Sequence, residues 1–233
     1  MRRIAFFGGS FDPPHRGHLA LARAAADRFA LDEVLFAPVG RQPFKASDSA
    51  TPFIHRYAMT ALATQGDARF IPSLIDALQE SVLQDTEGTP NYTVDTLRRL
   101  RDSLLASSAP FHLVAILGAD SWLDIARWHR AAELLTLCDW IVGARPGFDL
   151  SRAAQAVPSE VTVARENNGD CDLLLAHSEG TTTRVWLLPD LDESISATDL
   201  RDGLRNAEAD TGIAAVEEYV RKAELYTGAA QDI

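Results

Sequence analysis

Little in this sequence speaks for an extracellular, membrane or nucleic-acid setting. Two cysteines in 233 residues, Cys138 and Cys171, are too few for a disulfide framework or a structural zinc site. Cys138 sits in the apolar run CDWIVGA and is expected to be a small buried residue. No stretch approaches the ~20 apolar residues of a membrane span, and the apolar run in MRRIAFFGG is far too short for a signal peptide. Basic residues are the minority. The 22 Lys and Arg against 33 Asp and Glu leave a net charge of −11, whereas binding a phosphate backbone needs a broad basic surface. A small anionic substrate is still allowed, because a few converging cations can make a positive pocket in an acidic protein. The expectation is a cytoplasmic protein with no nucleic-acid and no membrane partner.

With 46% hydrophobic residues the chain can bury a full core. We read it as a single domain over residues 1–233, with residues 195–226 as a C-terminal helical part. Apolar runs bounded by glycine or turn residues predict strands over 4–7, 33–39, 68–74 (interrupted by Pro72), 111–118, 139–143 and 184–188. Helical patterns fall over 17–29, 52–64, 92–107, 120–137 (broken near Trp128 and His129), 198–206 and 213–223. Residues 75–90 and 150–183 are poorly readable, apart from a short helix in the second stretch. Strands alternating with helices favour an α/β fold with a doubly wound parallel sheet. In such folds ligands bind beyond the carboxyl ends of strands, where strand order reverses. Residues 8–18, 40–45, 118–120 and 189–201 are the segments expected there.

The stretch GGSFDPPHRGHLALA, residues 8–22, follows the first strand. A glycine pair permits close backbone approach to a ligand, and the start of a helix presents N–H groups with partial positive charge. Together they form a seat for phosphate. The stretch matches neither the P-loop nor the dinucleotide fingerprint. His15 and His18 therefore stand where a P-loop would supply lysine, since imidazole can donate to a phosphate oxygen. Their plainer reading is as capping or surface residues. Asp12, followed by two prolines, most simply fixes the turn.

The motif GGSFDPPHRGH, together with ISATDLR at residues 195–201, resembles the nucleotidylyltransferase superfamily marked by H-x-G-H and I-S-x-T-x-x-R. NYTVDTL (91–97), LGADSWLDIARWH (117–129), the Arg-Pro-Gly turn at 145–147 and VEEYVRKAELY (216–226) resemble the bacterial nicotinate-nucleotide adenylyltransferase family. The likeness touches most of the chain in order. It implies a Rossmann-like nucleotidylyltransferase fold and the conversion of ATP and nicotinate mononucleotide to nicotinate adenine dinucleotide and pyrophosphate. It also implies Mg2+ carried with ATP.

By that resemblance His15, His18, Lys45 and Arg201 are the catalytic residues, with His18 nearest the reacting centre. Gly8, Gly9, Ser10, Phe11, Gly118, Asp120, Ser196 and Thr198 are expected to bind ATP. Tyr92, Thr93, Trp128 and Arg145 are expected to bind the nicotinate nucleotide, Trp128 by stacking on the pyridine ring and Tyr92-Thr93 through backbone N–H groups on its carboxylate. Several of these residues have ordinary readings too: Lys45 as a solvated loop charge, Asp120 as a helix cap, Trp128 as core, Arg145 as a turn cap. Two departures from the family pattern stand out. Ala197 replaces a second serine, and Asn91 replaces the usual serine before Tyr92, which bears on preference for acid over amide. The alternatives are an adenylyltransferase for nicotinamide mononucleotide or another phosphate acceptor, and a non-catalytic nucleotide-binding regulatory protein. Oligomeric state is not readable.

Overall fold

A computed structural model describes residues 1–41, 51–77, 90–143, 150–165, 171–178, 180–188 and 210–227. Eight strands form one sheet: β1 (Arg2–Gly9), β2 (Glu33–Pro38), β3 (Phe70–Pro72), β4 (Phe111–Gly118), β5 (Asp139–Gly143), β6 (Thr162–Arg165), β7 (Leu173–Ala176) and β8 (Thr182–Leu188). Their order is β3-β2-β1-β4-β5-β8-β7-β6. The first six in that order run parallel, while β7 and β6 add antiparallel.

Alternation along the central strands divides the core in two, because successive side chains point to opposite faces. Ile4 and Phe6 of β1 join Leu113, Ala115 and Leu117 of β4 on one face. That face is covered by Val94, Leu97 and Leu100 of α3 (Thr93–Ala106) and by Trp122 of α4 (Ala119–Leu123). Ala5 and Phe7 join Val114 and Ile116 on the other face. There α1 (Arg16–Phe29) packs through Leu21, Ala22, Ala25 and Ala26, whose small side chains let the helix lie close to the sheet. Both faces are thus covered, which explains why β1 and β4 read as unbroken apolar runs.

The chain steps from β1 outward to β2 and β3, then returns to the other side of β1 for β4. Strand order therefore reverses between β1 and β4, and their carboxyl ends, at Gly9 and Gly118, flank the crevice this creates.

Three stretches differ from the sequence expectation. The third strand shrinks to Phe70–Pro72, paired among the described residues with β2 alone, as suits a proline that cannot donate to a ladder. The helical stretch over 120–137 is broken near Trp128 as expected, but it is shorter than expected, made of α4, a single 3-10 turn (Ile125–Arg127) and α5 (Ala131–Leu134). The break comes where Trp128 is extended and Arg130 takes a left-handed conformation at φ 54°. Within 150–183, α6 (Leu150–Gln155) is the short helix anticipated there, whereas β6 and β7 were not anticipated.

Helix α2 (Phe53–Ala63) packs against the C-terminal helix α7 (Ala214–Lys222) through Met59, Ala63, Val216, Val220 and Leu225. Among the described residues no helix is long and apolar enough to cross a membrane.

Candidate active site

The turn after β1 is shaped by packing. A Cβ on Gly8 would fall 2.7 Å from the ring of Phe6, and one on Gly9 would lie 3.3 Å from the ring of Phe11. Buried aromatic rings therefore crowd a side chain at Gly8, and at Gly9 one fits only if the Phe11 ring gives by a few tenths of an ångström. Phe11 takes a left-handed conformation, φ 47°, which is unfavourable for a bulky residue. It is held there by burial: its ring is 5.5 Å from Phe7, 5.6 Å from Phe36 and 5.0 Å from His18. The Phe11 side chain thus faces the core, and only its main chain is left for a ligand.

His15 is the N-cap of α1 and His18 occupies the third helical position. Their imidazoles lie 3.7 Å apart, centroid to centroid, at 37°. The His15 backbone N–H donates to His18 Nδ1 at 3.2 Å. A nitrogen that accepts carries no proton, so the proton of neutral His18 sits on Nε2, which becomes a donor. Burial, and then the neighbouring His15, hold the His18 pKa well below the usual histidine value. Protonating Nδ1 would also set two donors face to face. His18 is accordingly a neutral Nε2–H donor near pH 7.

The helix start is less open than its sequence suggests. The Arg16 N–H donates to Thr211 O at 2.9 Å and the His18 N–H to His15 O at 3.0 Å. Two of the first-turn donors are thus committed within the protein.

Arg56 organises the loops around this turn, and nothing in the sequence pointed to it. Buried on α2, its guanidinium donates to four main-chain carbonyls: Thr51 at 2.7 Å, Val39 at 2.8 Å, and Ser10 and Gly40 at 3.0 Å. One side chain thus ties the turn after β1 to the segment leaving β2. A planar fork of five donors is suited to that task.

Asn91 is a second clasp. It is buried, accepts the Arg41 N–H on its side-chain oxygen at 2.9 Å, and donates its amide to Asp76 O at 3.0 Å. Its own N–H reaches Arg41 O at 3.0 Å. A serine is too short to span both partners, which gives the departure from the family pattern a physical role. The Asp76 carboxyl accepts from the Thr96 hydroxyl and from Arg99 Nη2 at 3.4 Å. Burial pushes its pKa up to about 6.

On the neighbouring strand, Gly118 caps α4, and a Cβ there would meet no atom of the described residues within 4 Å. Among the described residues no packing requires glycine at that point. Asp120 lies in the first turn of α4 and is exposed, so the cap is Gly118 rather than Asp120. Tyr92 is the N-cap of α3 and Thr93 its first residue. The Tyr92 ring stacks on His129, centroids 4.1 Å apart, which draws the start of α3 to the Trp128-His129 segment. Trp128 is half-buried, one part against the core and the rest open.

The structure thus gathers Gly8, Gly9, Ser10, Phe11, His15 and His18 on one turn, with Gly118 and Asp120 on the adjoining strand end. Tyr92, Thr93 and Trp128 form a second group. Lys45, Arg145, Ser196, Thr198 and Arg201 lie outside the described residues.

A family model described as cytidylyltransferase-like matches residues 6–203, and that is the class to which this fold and site belong. A relative from Gloeobacter violaceus, named a probable nicotinate-nucleotide adenylyltransferase, is 41% identical over 145 residues, covering 62% of this chain and 65% of its own length. One from Moorella thermoacetica with the same name is 34% identical over 226 residues, covering 96% of this chain and 91% of its own. The chain therefore belongs to the nicotinate-nucleotide adenylyltransferase family within that class. Its fold is shared by a solved Plasmodium falciparum nicotinic acid mononucleotide adenylyltransferase complexed with NaAD, at a TM-score of 0.67 and 19% identity, over 97% of this chain and 98% of the other.

Proposed function

We propose that this protein transfers the adenylyl group of ATP to nicotinate mononucleotide, forming nicotinate adenine dinucleotide and pyrophosphate, a step of NAD biosynthesis. The observation that carries the reading is the His15–His18 pair, in which His18 is fixed as a neutral Nε2–H donor at the mouth of the β1–β4 crevice. A direct in-line attack by the mononucleotide phosphate on the ATP α-phosphorus needs no protein nucleophile. It needs positioned reactants and donors aimed at the developing charge. A donor held in one tautomer by a backbone N–H costs no reorganisation when that charge appears.

Mg2+, carried with ATP rather than held by a protein ligand set, would neutralise charge on the triphosphate. Gly8 to Phe11 line the triphosphate, and Asp120, exposed at the strand end, accepts from ribose hydroxyls. Lys45 and Arg201, by family likeness, complete the charge on the departing pyrophosphate, with Ser196 and Thr198 as further donors. Tyr92 and Thr93 present main-chain N–H groups to the nicotinate carboxylate, the open part of Trp128 stacks on the pyridine, and Arg145 faces the nucleotide phosphate. One domain carries the whole site. Two buried cysteine thiols, Cys138 and Cys171, suit a reducing cytoplasm.

The test offers ATP with nicotinate mononucleotide, nicotinamide mononucleotide or phosphopantetheine in parallel and measures pyrophosphate. Release with the first alone, or at much the highest kcat/KM, is expected. Preference for either other acceptor would reassign the substrate, and no release with any would favour a non-catalytic nucleotide-binding protein.

A further inference from the structure

The loop carrying His15 is gripped at both ends by one distant segment. On one side of His15, the buried Asp12 carboxylate accepts the Tyr226 hydroxyl at 2.6 Å and the Thr51 N–H at 3.2 Å. On the other side, the Arg16 N–H donates to Thr211 O at 2.9 Å. Thr211 and Tyr226 stand at opposite ends of α7, so residues 211–226 form a bracket spanning the loop. The bracket is itself anchored. Val216, Val220 and Leu225 pack on Met59 and Ala63 of α2, and the Tyr219 hydroxyl bonds His55 Nδ1 at 2.9 Å.

Both feet of the bracket show local constraint. Gly212 has φ 72°, and a Cβ there would fall 2.7 Å from the Arg16 side chain, so Arg16 lies directly over it. Tyr226 takes φ 62°, a conformation that tyrosine adopts at a cost, and its hydroxyl nevertheless reaches Asp12.

We infer that residues 211–226 hold the His15–His18 loop in its working geometry, with Tyr226 as a positioning residue that acts through Asp12. The role of the loop in the transfer rests on the function proposed above; the structural effect does not. The physical reason is the geometry of donors. A buried carboxylate between two donors holds the chain at Asp12, three residues before His15, and the Thr211 carbonyl holds the peptide leaving it. The His15 N–H, which sets the His18 tautomer, lies between those two fixed points.

The experiment is Tyr226→Phe, which removes one oxygen and keeps the ring. We expect kcat to fall about tenfold, with KM for both substrates little changed and the melting curve close to wild type. In a His18→Ala background the same substitution should change kcat by less than about twofold, because coupled sites are non-additive. Independently of activity, ring-nitrogen NMR should show His18 as one Nε2–H tautomer in wild type and as a tautomer mixture in the variant. Equal losses in both backgrounds would mean a general structural role and overturn the inference. An unchanged His18 ring signal in Tyr226→Phe would also overturn it. If the wild type releases no pyrophosphate, the proposed function fails, and the NMR result alone decides the bracket.

Discussion

Replacing Arg56 by lysine tests the hub of the site most severely, because charge is kept and geometry is lost. The guanidinium serves Thr51 from Nε, Ser10 and Val39 from Nη1, and Gly40 from Nη2. An ammonium is a single atom with three protons, and it cannot stand at three nitrogen positions at once. At least two of the four carbonyls then lose their donor in a buried setting. A hydrogen bond from a charged donor contributes about 1.5–3 kcal/mol, so the loss is at least about 3 kcal/mol. For a chain of this length each kcal/mol moves Tm by about 2–4 °C, giving a fall of about 6 °C or more. Denaturant unfolding at pH 7.5 and a thermal scan measure it. Turnover well below Tm should also fall, since Ser10 O is the restraint next to the strained Phe11. A variant within about 0.5 kcal/mol of wild type, an ordinary surface substitution's range, would refute the reasoning.

Three further outcomes are expected. His18→Ala should lower kcat by about 10²–10³-fold, the usual cost of one charge-stabilising donor, with the fold intact by circular dichroism. Trp128→Ala should raise KM for the mononucleotide by roughly tenfold or more, as loss of an aromatic stacking partner does, and leave KM for ATP nearly unchanged; equal effects on both would return Trp128 to the core. Asp76→Asn bears on pH. The folded carboxyl titrates near 6 against about 3.9 unfolded, so the folded state binds the extra proton between those values. Its contribution is complete below about pH 4 and lost as pH rises through 6, by about 3 kcal/mol at one unit per 1.36 kcal/mol. The asparagine variant should therefore gain on wild type as pH rises from 4 to 7.5 in urea titrations, and a difference constant with pH would exclude the effect.

The parts of the fold that could be read in the sequence were those where one local pattern decides the outcome. β4 and β5 match the anticipated 111–118 and 139–143 because strands buried on both faces need runs of apolar side chains, here Leu113–Leu117 and Trp140–Val142. α1 and α3 begin and end within a residue or so of their expected limits. β6 and β7 escaped because strands of four residues give too short a pattern to read. The glycine turn and histidine pair were visible as a motif, yet their internal logic was not. Gly8 yields to Phe6, and the His18 tautomer depends on a backbone N–H. Apart from the Arg56–Thr51 bond, those of Arg56, Asn91 and the Asp12–Tyr226 pair join residues 15 to 214 positions apart. An arginine in a helix or a tyrosine near the C-terminus reads by default as surface, and only the folded sheet shows which carbonyl or carboxylate it meets.

The central claim is a single, direct adenylyl transfer from ATP to nicotinate mononucleotide, with histidines as donors rather than nucleophiles. The stereochemical course at the α-phosphorus tests it most directly. Adenosine 5′-O-(1-thiotriphosphate) of one configuration is turned over with nicotinate mononucleotide, and the configuration of the dinucleotide product is determined. Inversion is the predicted result. Retention would require two displacements and a covalent nucleotidyl-histidine, and would contradict the account.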